Sequence, residues 1–147
     1  MPRLPRYLLD VNVLIALIDP AHVQHDRAHH WFAAQAQHAW ATCPLTENGV
    51  LRIVGNTRYP NSPGTPAAVA ELMAILLALG GHEFWPDDVT LFDSQRVRTA
   101  RLLDSGQVTD TYLLALAVAH GGQFATFDRR LVAEAVINGP QALHLIV

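Results

Sequence analysis

Short apolar runs alternate with longer helix-forming ones along the chain, which predicts an α/β fold: a central parallel β-sheet flanked by helices on both faces. Two further observations agree. The 147 residues, half of them hydrophobic and 16% charged, suit one domain with a substantial core. Glycine pairs, Gly80-Gly81 and Gly121-Gly122, punctuate the chain where helical patterns give way to strand-like ones. No repeat, linker or low-complexity stretch divides the chain, so residues 1–147 are read as a single domain.

The elements follow in order. Residues 7–9 read as a strand after a proline-marked start. Residues 11–18 are apolar nearly all round; they are read as a buried helix that stops at Asp19-Pro20. Residues 25–37 set Trp31 and Phe32 among polar neighbours, as an amphipathic helix does. A strand over 39–43 and a helix over 46–54 come next, then a loop over 55–64 rich in Asn, Pro and Gly. A helix is predicted over 65–79, strand-like runs over 84–86 and 89–92, and a helix over 94–103 broken by Gly106. The remainder reads as a helix over 109–120, a strand over 123–127, a helix over 131–137 and a last strand over 142–146.

Composition excludes several chemistries. All ten basic residues are arginine. Without lysine there is no phosphate-loop lysine, no Schiff-base lysine and no lysine to steady an aspartyl-phosphate. A net charge of −3 is unlike a generic nucleic-acid coat, which is strongly basic. It is compatible with a nuclease whose bound metal carries the positive charge. The N-terminal MPRLPRYLLD superficially suggests a signal peptide, but Asp10 and Asn12 interrupt its apolar stretch and no small-residue cleavage site follows. No apolar run reaches the ~18 residues of a membrane span. A cytoplasmic location is therefore expected, in keeping with a single cysteine, Cys43.

The acids carry the functional argument. Ligands of an open parallel sheet bind beyond the carboxyl ends of its strands. Asp10 directly follows the first strand and Asp128 the strand over 123–127. Asp110 opens a helix, and Glu47 lies in the first turn of the helix after the second strand. Each has a plain alternative as a helix cap, a first-turn acid or a turn residue. Together they place four carboxylates at one sheet edge, where like charges raise one another's pKa unless a cation joins them. All-oxygen ligands suit Mg²⁺ or Mn²⁺. Such a cation lowers the pKa of water and neutralises phosphoryl charge, as phosphodiester cleavage requires.

Four segments resemble the motifs of PIN-domain nucleases, in order and over nearly the whole chain. YLLDVNVLIALID resembles the first, LTENGVLRIV the glutamate segment, VTDTYLLALA the third acidic motif and FATFD the fourth. CPLTENGVLRI and FWPDD are also similar to one bacterial branch, the VapC-type toxins of toxin–antitoxin pairs. The resemblance implies a PIN-like domain and a metal-dependent endoribonuclease that leaves a 5′-phosphate. Asp10, Glu47, Asp110 and Asp128 would be the acidic quartet, with Asn12 and Thr126 orienting carboxylates or water. It further implies an RNA substrate, a cognate antitoxin protein and a homodimer.

Two other functions compete with this one. An aspartyl-phosphate phosphatase of the haloacid dehalogenase type wants an acid where Asn12 stands, and a lysine. A non-catalytic RNA- or protein-binding module on the same fold would not need all four acids. Phosphate contacts point to Arg129 and Arg130, directly after Asp128, to Arg52, one helical turn beyond Glu47, and to the set Arg96, Arg98 and Arg101. The bland reading of these is surface ion pairing. His22, His25, His29 and His30 are read as a solvated helix face rather than a metal site, and Asp93 as a helix-entry residue. Trp31, Trp40, Trp85 and Cys43 are read as core, and Asp87-Asp88 as a turn.

Overall fold

Five parallel strands form the sheet of the computed structural model, which describes residues 5–147. In chain order they are β1 (Tyr7–Leu9), β2 (Trp40–Thr42), β3 (His82–Phe84), β4 (Gln123–Thr126) and β5 (Leu143–Leu145), and they lie side by side as β3-β2-β1-β4-β5. The order reverses at β1, whose two neighbours are β2 and β4. The crevice beyond β1 and β4 is thus where an open sheet offers a ligand site.

Side chains alternate across the sheet and build two cores. Leu9, Trp40 and Ala125 face a layer made by helices α1 (Val11–Ile18), α2 (His25–Trp31), α3 (Pro44–Val54) and α4 (Pro66–Leu77). Leu8, Ala41 and Phe124 face α5 (Val108–Ala119) and the short α6 (Gly139–Ala142). Helices on both faces and an all-parallel sheet match the expected class. Trp31, Trp40, Trp85 and Cys43 are buried, as expected of core residues. None of the described helices is long and apolar enough to cross a membrane.

The sequence and the structure differ in several places: β3 covers His82–Phe84 rather than 84–86, and the short helix Gly139–Ala142 has no counterpart in the sequence reading. The amphipathic stretch over 25–37 is helical, but its second half, Phe32–Ala36, widens into a π-helix, with the Gln37 N–H bonded to the Phe32 carbonyl. Residues 89–92 form no strand. The helices expected over 94–103 and 131–137 are absent. Those two segments instead cross, with Val97 and Val136 in an antiparallel bridge. The Arg98 N–H donates to the Ala135 carbonyl at 2.7 Å and the Ile137 N–H to the Arg96 carbonyl at 2.9 Å. Each segment has backbone partners outside itself, which outweigh a weak helical propensity. Arg96, Arg98 and Arg101 therefore do not share a helix; only a 3₁₀ turn over Thr99–Arg101 remains. Asp93 consequently opens no helix. It caps a turn through the Gln95 N–H and pairs with Arg96 at 3.7 Å.

The histidine-rich stretch is more than a solvated face. His25 Nδ1 and His29 Nε2 each lie 2.7 Å from carbonyls at the end of α1, those of Ala16 and Leu17. They thereby satisfy acceptors that a helix C-terminus leaves open. Nearby, buried Asp19 accepts hydrogen bonds from Tyr59, Asn61 and the Ala21 N–H, so the loop over 55–64 is clasped to the end of α1. Burial raises the Asp19 carboxyl, but these bonds and the nearby His22 outweigh it and hold it below the usual range.

Candidate active site

Asp10 leaves β1 and caps α1. Its Oδ1 accepts the Val11 N–H at 2.7 Å, and its own N–H continues the ladder to the Ala125 carbonyl. Only 8% of the residue is exposed. Thr126, at the end of β4, donates from Oγ1 to Asp10 Oδ2 at 2.7 Å. Thr126 Oγ1 in turn accepts the Asp128 N–H at 3.1 Å. One buried hydroxyl therefore orients Asp10 and fixes the backbone of Asp128. Asp128 is exposed, and its Oδ1 accepts the Arg130 N–H.

Asp110 stands in the first turn of α5, partly buried. Burial, then the charges of Asp10 and Asp128, push its pKa up to about 6. Burial also raises Asp10, against the bonds from Thr126 and Val11, with the charge of Asp128 adding to the rise. These mutual effects mark Asp10, Asp110 and Asp128 as one electrostatic group. Asp110 and Asp128 also line a cavity of about 250 Å³ together with Asp104, Gln107 and Arg130.

Glu47 is held by a different set of partners. It sits in the first turn of α3, where Pro44 opens the helix and Cys43 and Thr46 cap it. Its Oε2 accepts the Thr42 hydroxyl at 2.7 Å, and Thr42 Oγ1 lies 2.8 Å from His82 Nε2. Neither Thr42 nor His82 was singled out in the sequence. Their link depends on the β2–β3 pairing, and no local pattern announces it. Asn12, on the first turn of α1, is exposed and its side chain bonds to no described residue, so it does not orient Asp10 as Thr126 does.

The arginines divide. Arg129 and Arg130 are exposed beside Asp128, and Arg130 lines the acidic cavity. Arg52 is five residues from Glu47, about 140° around a helix. It accordingly lines a different hollow, with Arg58 and Tyr59, while Glu47 borders one with Leu51, Met73 and Leu77. A hollow of about 380 Å³ contains Arg98 and Arg101 but none of the four acids.

Among the described residues, no three His, Cys, Asp or Glu side chains close on a single point as a preformed metal cage would. Mg²⁺ does not require one, because it keeps several waters and binds through one or two carboxylates. The donors here are oxygen only, and burial together with neighbouring carboxylate charge raises Asp10 and Asp110. Both properties fit a hard divalent cation.

A family model described as the PIN domain matches residues 7–136. The chain belongs to the PIN-domain family. Among curated proteins, this PIN domain is similar to ribonuclease VapC44 of Mycobacterium tuberculosis strain H37Rv, with 47% identity over 131 residues, 89% of this chain and 92% of the relative. Ribonuclease VapC39 of the same strain is 43% identical over 128 residues, 87% of this chain and 92% of the relative. These relatives place the PIN domain in the VapC branch. Among solved structures, VapBC2 from Rickettsia felis, bound to a DNA fragment from its promoter, superposes with a TM-score of 0.60 at 13% identity. It covers 95% of this chain and 97% of the matched chain, which shows a shared fold.

Proposed function

We propose that this PIN domain is a Mg²⁺- or Mn²⁺-dependent endoribonuclease and the toxin of a toxin–antitoxin pair. The observation that carries the reading is that the charges of Asp10 and Asp128 both act on Asp110, in a chain 47% identical to a named ribonuclease. These three carboxylates and Glu47 hold the cation. When bound, the cation supplies a lowered water pKa and neutralises charge developing on the phosphoryl group. Thr126 keeps Asp10 oriented and the start of the Asp128 loop in place. Asp110 must give up its proton before it can serve as a ligand. Arg130, which lines the acidic cavity, and Arg129 beside it grip RNA phosphates, and the exposed Asn12 is free to bond water or ligand. Arg52 is a more remote phosphate contact. Cleavage leaves a 5′-phosphate.

An antitoxin protein as partner is supported by the apolar outer face of α4, where Leu72 and Ile75 are exposed with Leu79 just beyond. Exposed apolar patches of this kind mark protein contacts. A homodimer and a cytoplasmic location complete the reading. The test is cleavage of RNA by the purified protein with Mn²⁺, with EDTA, and by Asp110→Asn. Cleavage that needs Mn²⁺ and is lost in Asp110→Asn is expected. RNA binding without cleavage under every metal condition would instead identify a non-catalytic binding module.

A further inference from the structure

Glu47 is held from a direction that the acidic motifs do not use. Thr42 ends β2, five residues before Glu47, and is fully buried. Its Oγ1 donates to Glu47 Oε2 at 2.7 Å and lies 2.8 Å from His82 Nε2 on the neighbouring strand. A threonine hydroxyl has one proton. With that proton on an ionised Glu47, Oγ1 can only accept from His82, so His82 Nε2 carries a proton and donates. The three residues form one directed chain, from His82 through Thr42 to Glu47. Glu47 Oε1 makes no hydrogen bond to a described residue.

His82 is itself fixed at the far end. Its ring lies against Trp40, centroids 4.7 Å apart. The preceding carbonyl, of Gly81, accepts both the Trp40 N–H and Arg6 Nη1. Gly81 has φ +91°, and a Cβ there would lie 2.3 Å from the Gln37 carbonyl oxygen. Only glycine lets the chain enter β3 so close to the turn before β2, and that entry brings His82 beside Thr42.

We propose that His82, acting through Thr42, is a positioning residue for Glu47: it occupies Oε2 and leaves Oε1 as the single oxygen offered to a divalent cation. This rests on the reading of Glu47 as a metal-holding carboxylate. An outer hydrogen bond of this kind sets the orientation of a ligand, and its loss costs about 10–100-fold in metal affinity. The relay runs from an edge strand, so it couples the placement of β3 to the acid on α3.

The test is Mn²⁺ titration by calorimetry into the metal-free full-length protein, with melting curves alongside. Thr42→Val and His82→Ala should each weaken Mn²⁺ binding by about 10–100-fold. Thr42→Ser keeps the hydroxyl and His82→Gln keeps an N–H donor, so both should recover most of the affinity. Should Thr42→Val fail to fold, the two His82 variants decide alone. Wild-type affinity in His82→Ala, alongside loss in Glu47→Gln, overturns the relay and leaves Glu47 as a ligand. Equal loss in His82→Ala and His82→Gln also overturns it, because packing rather than the donor would then matter. Wild-type affinity in Glu47→Gln removes the metal reading of Glu47, and the relay with it.

Discussion

Asp110 lies where burial and two neighbouring carboxylates act in the same direction, and its pKa of about 6 against an ordinary 3.8 makes the site sensitive to pH. The folded protein holds this proton more tightly than the unfolded chain. The stabilisation it brings is complete below about pH 3.8 and is lost as pH rises through about 6. Metal-free Asp110→Asn should therefore melt higher than wild type at pH 7.5, by on the order of 1 kcal/mol after solvent screening. The gap should close as pH falls toward 4, which melting curves across that range would show. Mn²⁺ affinity of the wild type should fall below about pH 6, because the proton competes with the cation. Thr126→Val is a second test at this scale. It removes the donor to Asp10 Oδ2 and the acceptor of the Asp128 N–H, and cleavage should drop by about 10–100-fold. The positions of the four acids and of Thr126 were legible in the sequence, because each is adjacent to a strand end or helix start that local pattern marks. Thr42 and His82 were not, because a hydrogen bond between strands forty residues apart in the chain has no local signature.

At the scale of elements, the same distinction separates the expectations that held from those that did not. β1, α1, β2, α3, α5 and β4 were legible through apolar runs and the breaks that bound them. The segments over 94–103 and 131–137 were misread as helices because each draws its hydrogen bonds from the other, through Val97 and Val136. Arg52 was misplaced for a simpler reason, since a five-residue step on α3 carries it off the Glu47 face. α3 comes close to α1 at Gly49. A Cβ there would stand 2.8 Å from Val11 Cγ2, and Val11 follows the first acid directly. Valine is stiff at χ1 and cannot fold its methyl groups aside. Gly49→Ala should thus push α3 from α1, cost about 1–3 kcal/mol and weaken Mn²⁺ binding by shifting Glu47 relative to Asp10. Gly80→Ala is the control, since a Cβ there meets nothing within 4 Å. Comparable melting temperatures for the two variants would show that the α1–α3 contact has slack.

For the whole molecule, the problem is charge. The chain carries a net charge of −3 with no lysine, and its proposed active edge is acidic. RNA is a polyanion, so two sources of positive charge must overcome the repulsion: a bound cation and nearby arginines. Arg129 and Arg130 are exposed directly after Asp128, and Arg130 lines the same cavity as Asp110 and Asp128. A guanidinium can grip phosphate with two parallel hydrogen bonds, a geometry an ammonium does not reproduce. Each phosphate contact on a single strand contributes about 0.7 to the slope of log affinity against log salt. In an Asp110→Asn background, where RNA remains uncleaved, the double substitution Arg129→Ala, Arg130→Ala should weaken RNA binding and flatten that slope by up to about 1.4, two contacts' worth. Calorimetry should find Mn²⁺ binding nearly unchanged by the arginine pair, because neither residue is a proposed metal ligand. An unchanged affinity and slope would assign the pair to the solvated surface. The phosphate grip would then fall to the Arg52–Arg58 hollow or to the one holding Arg98 and Arg101, and the same salt series on those variants would tell which.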